Sequence, residues 1–136
     1  MHEFFEHTAD LGLRVTAPDL NQLFAEAATG LVSMIVENLN AVQLTRTVEI
    51  RIVGTDREYL LFDWLNEVLS KFECEHLVLA EFHVEVSEDG LTATCRGEPL
   101  DRERHQLGHE VKAITYHGLT VEETADGWLA EVIVDI

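Results

Sequence analysis

Positive charge is scarce in this chain. Nine Lys and Arg residues stand against 26 Asp and Glu, for a formal net charge of −17. Only two of the nine are lysines, Lys71 and Lys112. Phosphate backbones are gripped by cationic side chains that displace counterions. A surface this poor in them speaks against direct nucleic-acid binding, whereas an acidic field draws in cations and basic protein surfaces. Acidity that only keeps a small protein in solution accounts for the same numbers. Cysteine is scarce too. Cys74 and Cys95 lack any CxxC or Cys/His metal spacing, and in a reducing compartment both read as small core residues ahead of a disulfide. No apolar run reaches the roughly 20 residues of a membrane helix, because Glu and Asp interrupt each candidate. The opening MHEFFEHTAD carries acids where a secretory signal carries Lys or Arg. A cytoplasmic protein with no membrane contact is expected.

Catalytic motifs are missing as well. There is no GxGxxG and no GxxxxGK followed by Ser or Thr, so a phosphate-cradling loop is excluded. No GxSxG nucleophile elbow occurs, and Ser33, Ser70 and Ser87 have no evident base beside them. The histidines His2, His7, His76, His83, His105, His109 and His117 match no zinc pattern. His83 faces outward on a strand, while His105 and His109 fall in a polar loop and read as solvated. His7 stands apart, three residues before Asp10. No catalysis by the chain itself is expected, and a metal-dependent hydrolase is the weakest reading.

What is present is a well-patterned globular sequence of 136 residues, 46% hydrophobic, expected to form one domain over residues 1–136. Strands are predicted at His2–His7 and Leu11–Ala17, the second from its alternation of Leu11, Leu13 and Val15 with Gly12, Arg14 and Thr16. Pro18-Asp19 opens a helix in which Asp19 caps the first turn with Gln22 three residues on. Its stripe is Leu20, Leu23, Phe24, Ala27, Leu31 and Ile35, and Asn38-Leu39-Asn40 ends it. Thr47–Gly54 reads as a strand. Thr55 and Glu58 form a second capping-box candidate before a helix over Asp56–Phe72, striped by Leu61, Trp64, Leu65, Val68, Leu69 and Phe72. The remainder is β-rich. Phe82, Val84 and Val86 alternate with charged residues, and Asp89-Gly90 turns the chain into Leu91–Arg96. Val111–Glu123 reads as one long strand, and Asp126-Gly127 turns into Trp128–Ile136. The fold class is α+β, two helices packed on largely antiparallel β-sheet in the order ββαβα and then about four strands.

Two features at the end of the chain invite chemistry. Asp135 follows an apolar strand. If Ile136 tucks into the inner face with Trp128, Ala130, Val132 and Val134, then Asp135 and the terminal carboxylate are both held rigidly. Fixed carboxylates repel unless a cation sits among them, and hard oxygen donors favour Ca²⁺, Mg²⁺ or Mn²⁺ over zinc. A solvated Asp135 at a fraying end is the bland alternative. Lys112 lies on a strand face with Ile114 and Tyr116, where an ion pair with Asp10 or Asp135, or contact with a partner, suits it.

Glu6-His7-Thr8-Ala9-Asp10, Lys112-Ala113-Ile114-Thr115-Tyr116 and Val134-Asp135-Ile136, in that order, resemble the archease family across essentially the whole chain. The resemblance implies helices on antiparallel sheets and an accessory role. Archeases activate the RtcB-type RNA ligase of tRNA splicing and RNA repair, promoting guanylylation of its active-site histidine and multiple turnover, and broadening the nucleotides it accepts. It further implies a divalent-ion site, described as calcium in the family, at Asp10, Asp135 and Ile136. Lys112, and with it His7, is implied to face the ligase or its nucleotide. A general chaperone or protein-interaction module is the alternative; it requires an exposed apolar patch larger than an ordinary monomer shows.

Overall fold

The computed structural model describes residues 1–7 and 10–136. Among them are eight strands, two α-helices and one 3-10 turn, and every strand pairing is antiparallel. β1 (His2–His7) and β2 (Asp10–Ala17) begin a five-stranded sheet. In it β2 pairs with β8 (Gly127–Asp135), which also carries β6 (Ala113–Ile114) and β7 (Thr120–Thr124). A second sheet orders β3 (Arg46–Val53), β5 (Gly90–Pro99) and β4 (Leu77–Ser87). The α+β class with two helices on antiparallel sheet is what the periodicities predict.

Helix α1 (Leu20–Ile35) packs on β2 and β8 of the first sheet and on β4 of the second. Its apolar stripe makes this possible: Leu23, Phe24, Ala27 and Leu31 are fully buried, and each large side chain contributes about 1.5–3 kcal/mol. Asp19 caps it as predicted, accepting the Gln22 N–H at 2.8 Å. Helix α2 (Arg57–Glu75) lies against α1, and the Trp64 indole donates to the Phe24 carbonyl at 2.9 Å inside the core. Its cap differs from the Thr55–Glu58 box. Asp56 is the N-cap, its carboxylate accepting both the Glu58 and Tyr59 N–H groups at 3.0 Å, which leaves Thr55 outside the helix. The helix also runs past Phe72 to Glu75 and stops where His76 takes a left-handed conformation (φ 53°).

The long strand expected over Val111–Glu123 is two strands joined by a turn, so five strands rather than four follow α2 among the described residues. Gly118 at φ 65° supplies the left-handed residue, the Leu119 N–H bonds the Tyr116 carbonyl, and the Thr115 hydroxyl accepts the His117 N–H. An alternating apolar pattern continues through such a turn and conceals it. Cys95 is buried as expected, and burial pushes its thiol up to about 12 against the opposing pull of Lys71. Cys74 is exposed, not a core residue, because it falls on the solvent side of α2. No helix among the described residues is long and apolar enough to cross a membrane.

Candidate functional site

Strand register brings distant parts of the chain side by side. β1 folds back on β2 with His7 opposite Asp10, and β2 pairs with β8 with Asp10 opposite Asp135. On the other side of β8, Ala113 lies opposite Asp135, and the Lys112 N–H donates to the Asp135 carbonyl at 2.7 Å. Asp10 and Lys112 therefore flank Asp135 from the two sides of β8. Direct partners in an antiparallel pair project from the same face with Cβ atoms about 4.5–5.5 Å apart. The Asp10 and Asp135 side chains consequently leave the sheet together, both half-exposed. Ile136 is half-buried and packs against the core beside Val134.

Like charges at that spacing repel, and a cation between them removes the repulsion. Among the described residues the donors at hand are oxygens: the Asp10 and Asp135 carboxylates and main-chain oxygen from Ile136. Among the described residues no cluster of three or more His, Cys, Asp or Glu side chains is arranged for a metal. Carboxylate and main-chain oxygens are the donor type of a hard ion that completes its shell with carbonyls and water, as Ca²⁺ does. The expected ion pair of Lys112 with Asp10 or Asp135 is not formed. Lys112 precedes Ala113 and so alternates to the opposite side of β6, where its ammonium is exposed and has no ion-pair partner among the described residues. The His7 side chain and residues Thr8 and Ala9 lie outside the described residues.

Sequence reading missed what holds Lys112 in place. His105, read as solvated, is 3% exposed, and Glu98 is 5% exposed. The Asp101 N–H donates to His105 Nδ1 at 3.0 Å, so the ring proton sits on Nε2 and is given to Glu98 Oε2, also at 3.0 Å. Glu98 further accepts the Gln43 N–H at 2.7 Å and the Arg104 guanidinium. Burial alone raises its carboxyl, but those three donors outweigh it and hold the group down at about 2. The loop leaving this knot is zipped to the end of α1. Asn38 bonds Arg104 and Gln106, and the Gly108 and His109 N–H groups donate to the Ile35 and Met34 carbonyls. That loop ends in buried Val111 and then Lys112. A buried Glu98 seven residues before a His is the only trace in the sequence, and it has no periodicity to expose it.

Comparison with known proteins matches the chain over its whole length. Residues 2–136 fit the archease protein family (MTH1598/TM1083). The archease of Pyrococcus abyssi is 40% identical over 139 residues, covering 98% of this chain and 97% of its own. That of Methanopyrus kandleri is 40% identical over 138 residues, covering 98% of each. The solution structure of Methanobacterium thermoautotrophicum protein 1598 superposes with a TM-score of 0.87 at 32% identity, covering 99% of this chain and 98% of that one. A Thermotoga maritima archease, described as a possible chaperone, shares the fold with a TM-score of 0.69 at 23% identity, covering 100% of this chain and 98% of its own. With sequence and fold in agreement from end to end, the chain belongs to the archease family.

Proposed function

We propose that the protein is an accessory factor that activates an RtcB-type RNA ligase, promoting guanylylation of the ligase and its multiple turnover in tRNA splicing and RNA repair, without catalysis of its own. A divalent cation, Ca²⁺ before Mg²⁺ or Mn²⁺, is held by the carboxylates of Asp10 and Asp135 with main-chain oxygen from Ile136. Lys112 and His7 face the ligase or its nucleotide. When bound, the ion supplies positive charge at an otherwise acidic edge, where it attracts phosphate oxygens. The chain's own residues do the positioning: β2 and β8 set Asp10 opposite Asp135, the Lys112 N–H ties Lys112 to the Asp135 carbonyl, and the Glu98–His105 knot anchors the loop that leads to Lys112. The observation that supports the reading is the register that sets Asp10 directly opposite Asp135, two carboxylates on one face of the sheet. Lys112 acts as a point charge suited to phosphate.

Multiple-turnover RNA ligation by the partner ligase, with and without this protein, tests the reading. Wild type raises turnover. Asp10→Ala, Asp135→Ala and Lys112→Ala, folded as wild type, lower that gain by at least about tenfold, the scale on which lost metal-site interactions act. Folded variants that activate fully overturn it. A general chaperone instead suppresses aggregation of unrelated clients, and a hydrolase turns over substrate with Mg²⁺ or Mn²⁺ alone.

A further inference from the structure

The chain has two tyrosines, and both stand in one exposed cluster. Tyr59 on α2 is 58% exposed, and Tyr116, in the turn between β6 and β7, is 55% exposed. Their rings meet edge to face with centroids 5.5 Å apart. Tyr116 also lies flat on Phe62, with centroids 3.8 Å apart and planes 14° from parallel. Tyr59 and Phe62 are neighbours on the helix surface, so segments far apart in sequence build one aromatic shelf. Tyrosines held in this way lose little freedom on binding and are over-represented where proteins meet.

The field around the shelf is acidic. Asp63, one helical turn from Tyr59, is exposed, as is Glu58, which accepts the Val121 N–H and so brings up the exposed Glu122 and Glu123 of β7. Both cations of α2 are engaged elsewhere: Arg57 lies 5.0 Å above the Trp128 ring, and Lys71 pairs with Glu75 at 2.9 Å. Exposed aromatic faces flanked by carboxylates fit an arginine better than any other side chain. Its guanidinium stacks on a tyrosine while donating charge-assisted hydrogen bonds to neighbouring acids. We infer that this shelf is a docking surface for a basic protein partner and receives its arginine side chains. The inference rests on the ligase reading and adds to it a second face. The β6 segment joins the two, since Lys112 and Thr115 donate to the Asp135 and Ile133 carbonyls and Tyr116 follows at once.

The test titrates the full-length protein into the RtcB-type ligase of the same cell, at low and moderate salt, and follows activation in parallel. Tyr59→Ala, at a largely exposed position, and Asp63→Lys each weaken binding by about tenfold or more. Tyr59→Phe, which keeps the ring, binds close to wild type, and added salt weakens binding steeply. Asp135→Ala still binds while failing to activate, which separates docking from the ion site. Wild-type binding that neither Tyr59→Ala nor Asp63→Lys reduces overturns the docking surface and leaves the ligase reading standing. A wild-type protein that neither binds nor activates the ligase overturns both. Loss of self-association in the same variants, with ligase binding intact, assigns the shelf to a second copy of this chain and also overturns the inference.

Discussion

Asp10 and Asp135 oppose each other across β2 and β8, and like charges directly opposite weaken a strand pair. Asp135→Asn removes one of the two charges and keeps the shape. In chelator the variant is therefore expected to be as stable as wild type or more stable by up to about 1 kcal/mol, and to lose the rise in Tm that Ca²⁺ gives wild type. Thermal unfolding with and without the ion checks both; a wild-type Tm indifferent to Ca²⁺, Mg²⁺ and Mn²⁺ contradicts the site. Glu98 is a residue of the opposite kind, buried with every partner in place. Glu98→Ala strands His105 and the Gln43 N–H and leaves Arg104 with Asp101 alone, and is expected to destabilise by about 2–4 kcal/mol in denaturant unfolding. A loss below about 0.5 kcal/mol contradicts the role given to the knot.

At the scale of elements, the parts of the chain with a strong period were legible in the sequence. The Leu23–Phe24–Ala27–Leu31 stripe of α1 and the Leu61–Trp64–Leu65–Val68 stripe of α2 bury as their spacing demands, and both Asp-Gly turns close hairpins. Elements without a period were not. β6 is two residues long, held by hydrogen bonds to β8 rather than by its own pattern, and the Gly118 turn interrupts an apolar alternation that reads as continuous strand. His105 is buried by a loop folding onto α1, a tertiary event with no local mark. The opposition of Asp10 and Asp135 is likewise a product of topology: positions 125 apart meet only because β2 and β8 are neighbours in the sheet. The α2 cap offers a clean element-level test. Asp56 serves two N–H groups, so Asp56→Ala is expected to cost about 1 kcal/mol, whereas Thr55→Ala costs a few tenths; equal costs restore the Thr55 capping box.

Across the whole molecule, the net charge of −17 sets the response to pH and salt. Glu98 contributes through its depressed carboxyl, which lies at about 2 in the folded protein against an ordinary 4.5. Burial opposes the shift, and the Gln43, Arg104 and His105 donors produce it. A carboxyl lowered on folding adds stability that is complete above about pH 4.5 and fades as pH falls towards 2. Asp101, held down by the Glu103 N–H and by Arg104, acts in the same direction. Stability measured from pH 5 to pH 2 should therefore fall, and Glu98→Gln should flatten that fall; a wild-type profile no steeper than the variant's contradicts the assignment. The same acidity suits the basic protein partner proposed above, and the account stands or falls on what the protein does to it. The most direct measurement is the rate of GMP transfer onto the RtcB-type ligase. Wild type is predicted to accelerate it, while Asp135→Ala and Lys112→Ala, unfolding at the wild-type temperature or above, leave it near the rate of the ligase alone. Variants that accelerate transfer as well as wild type does, or a wild type that leaves the rate unchanged, contradict the account.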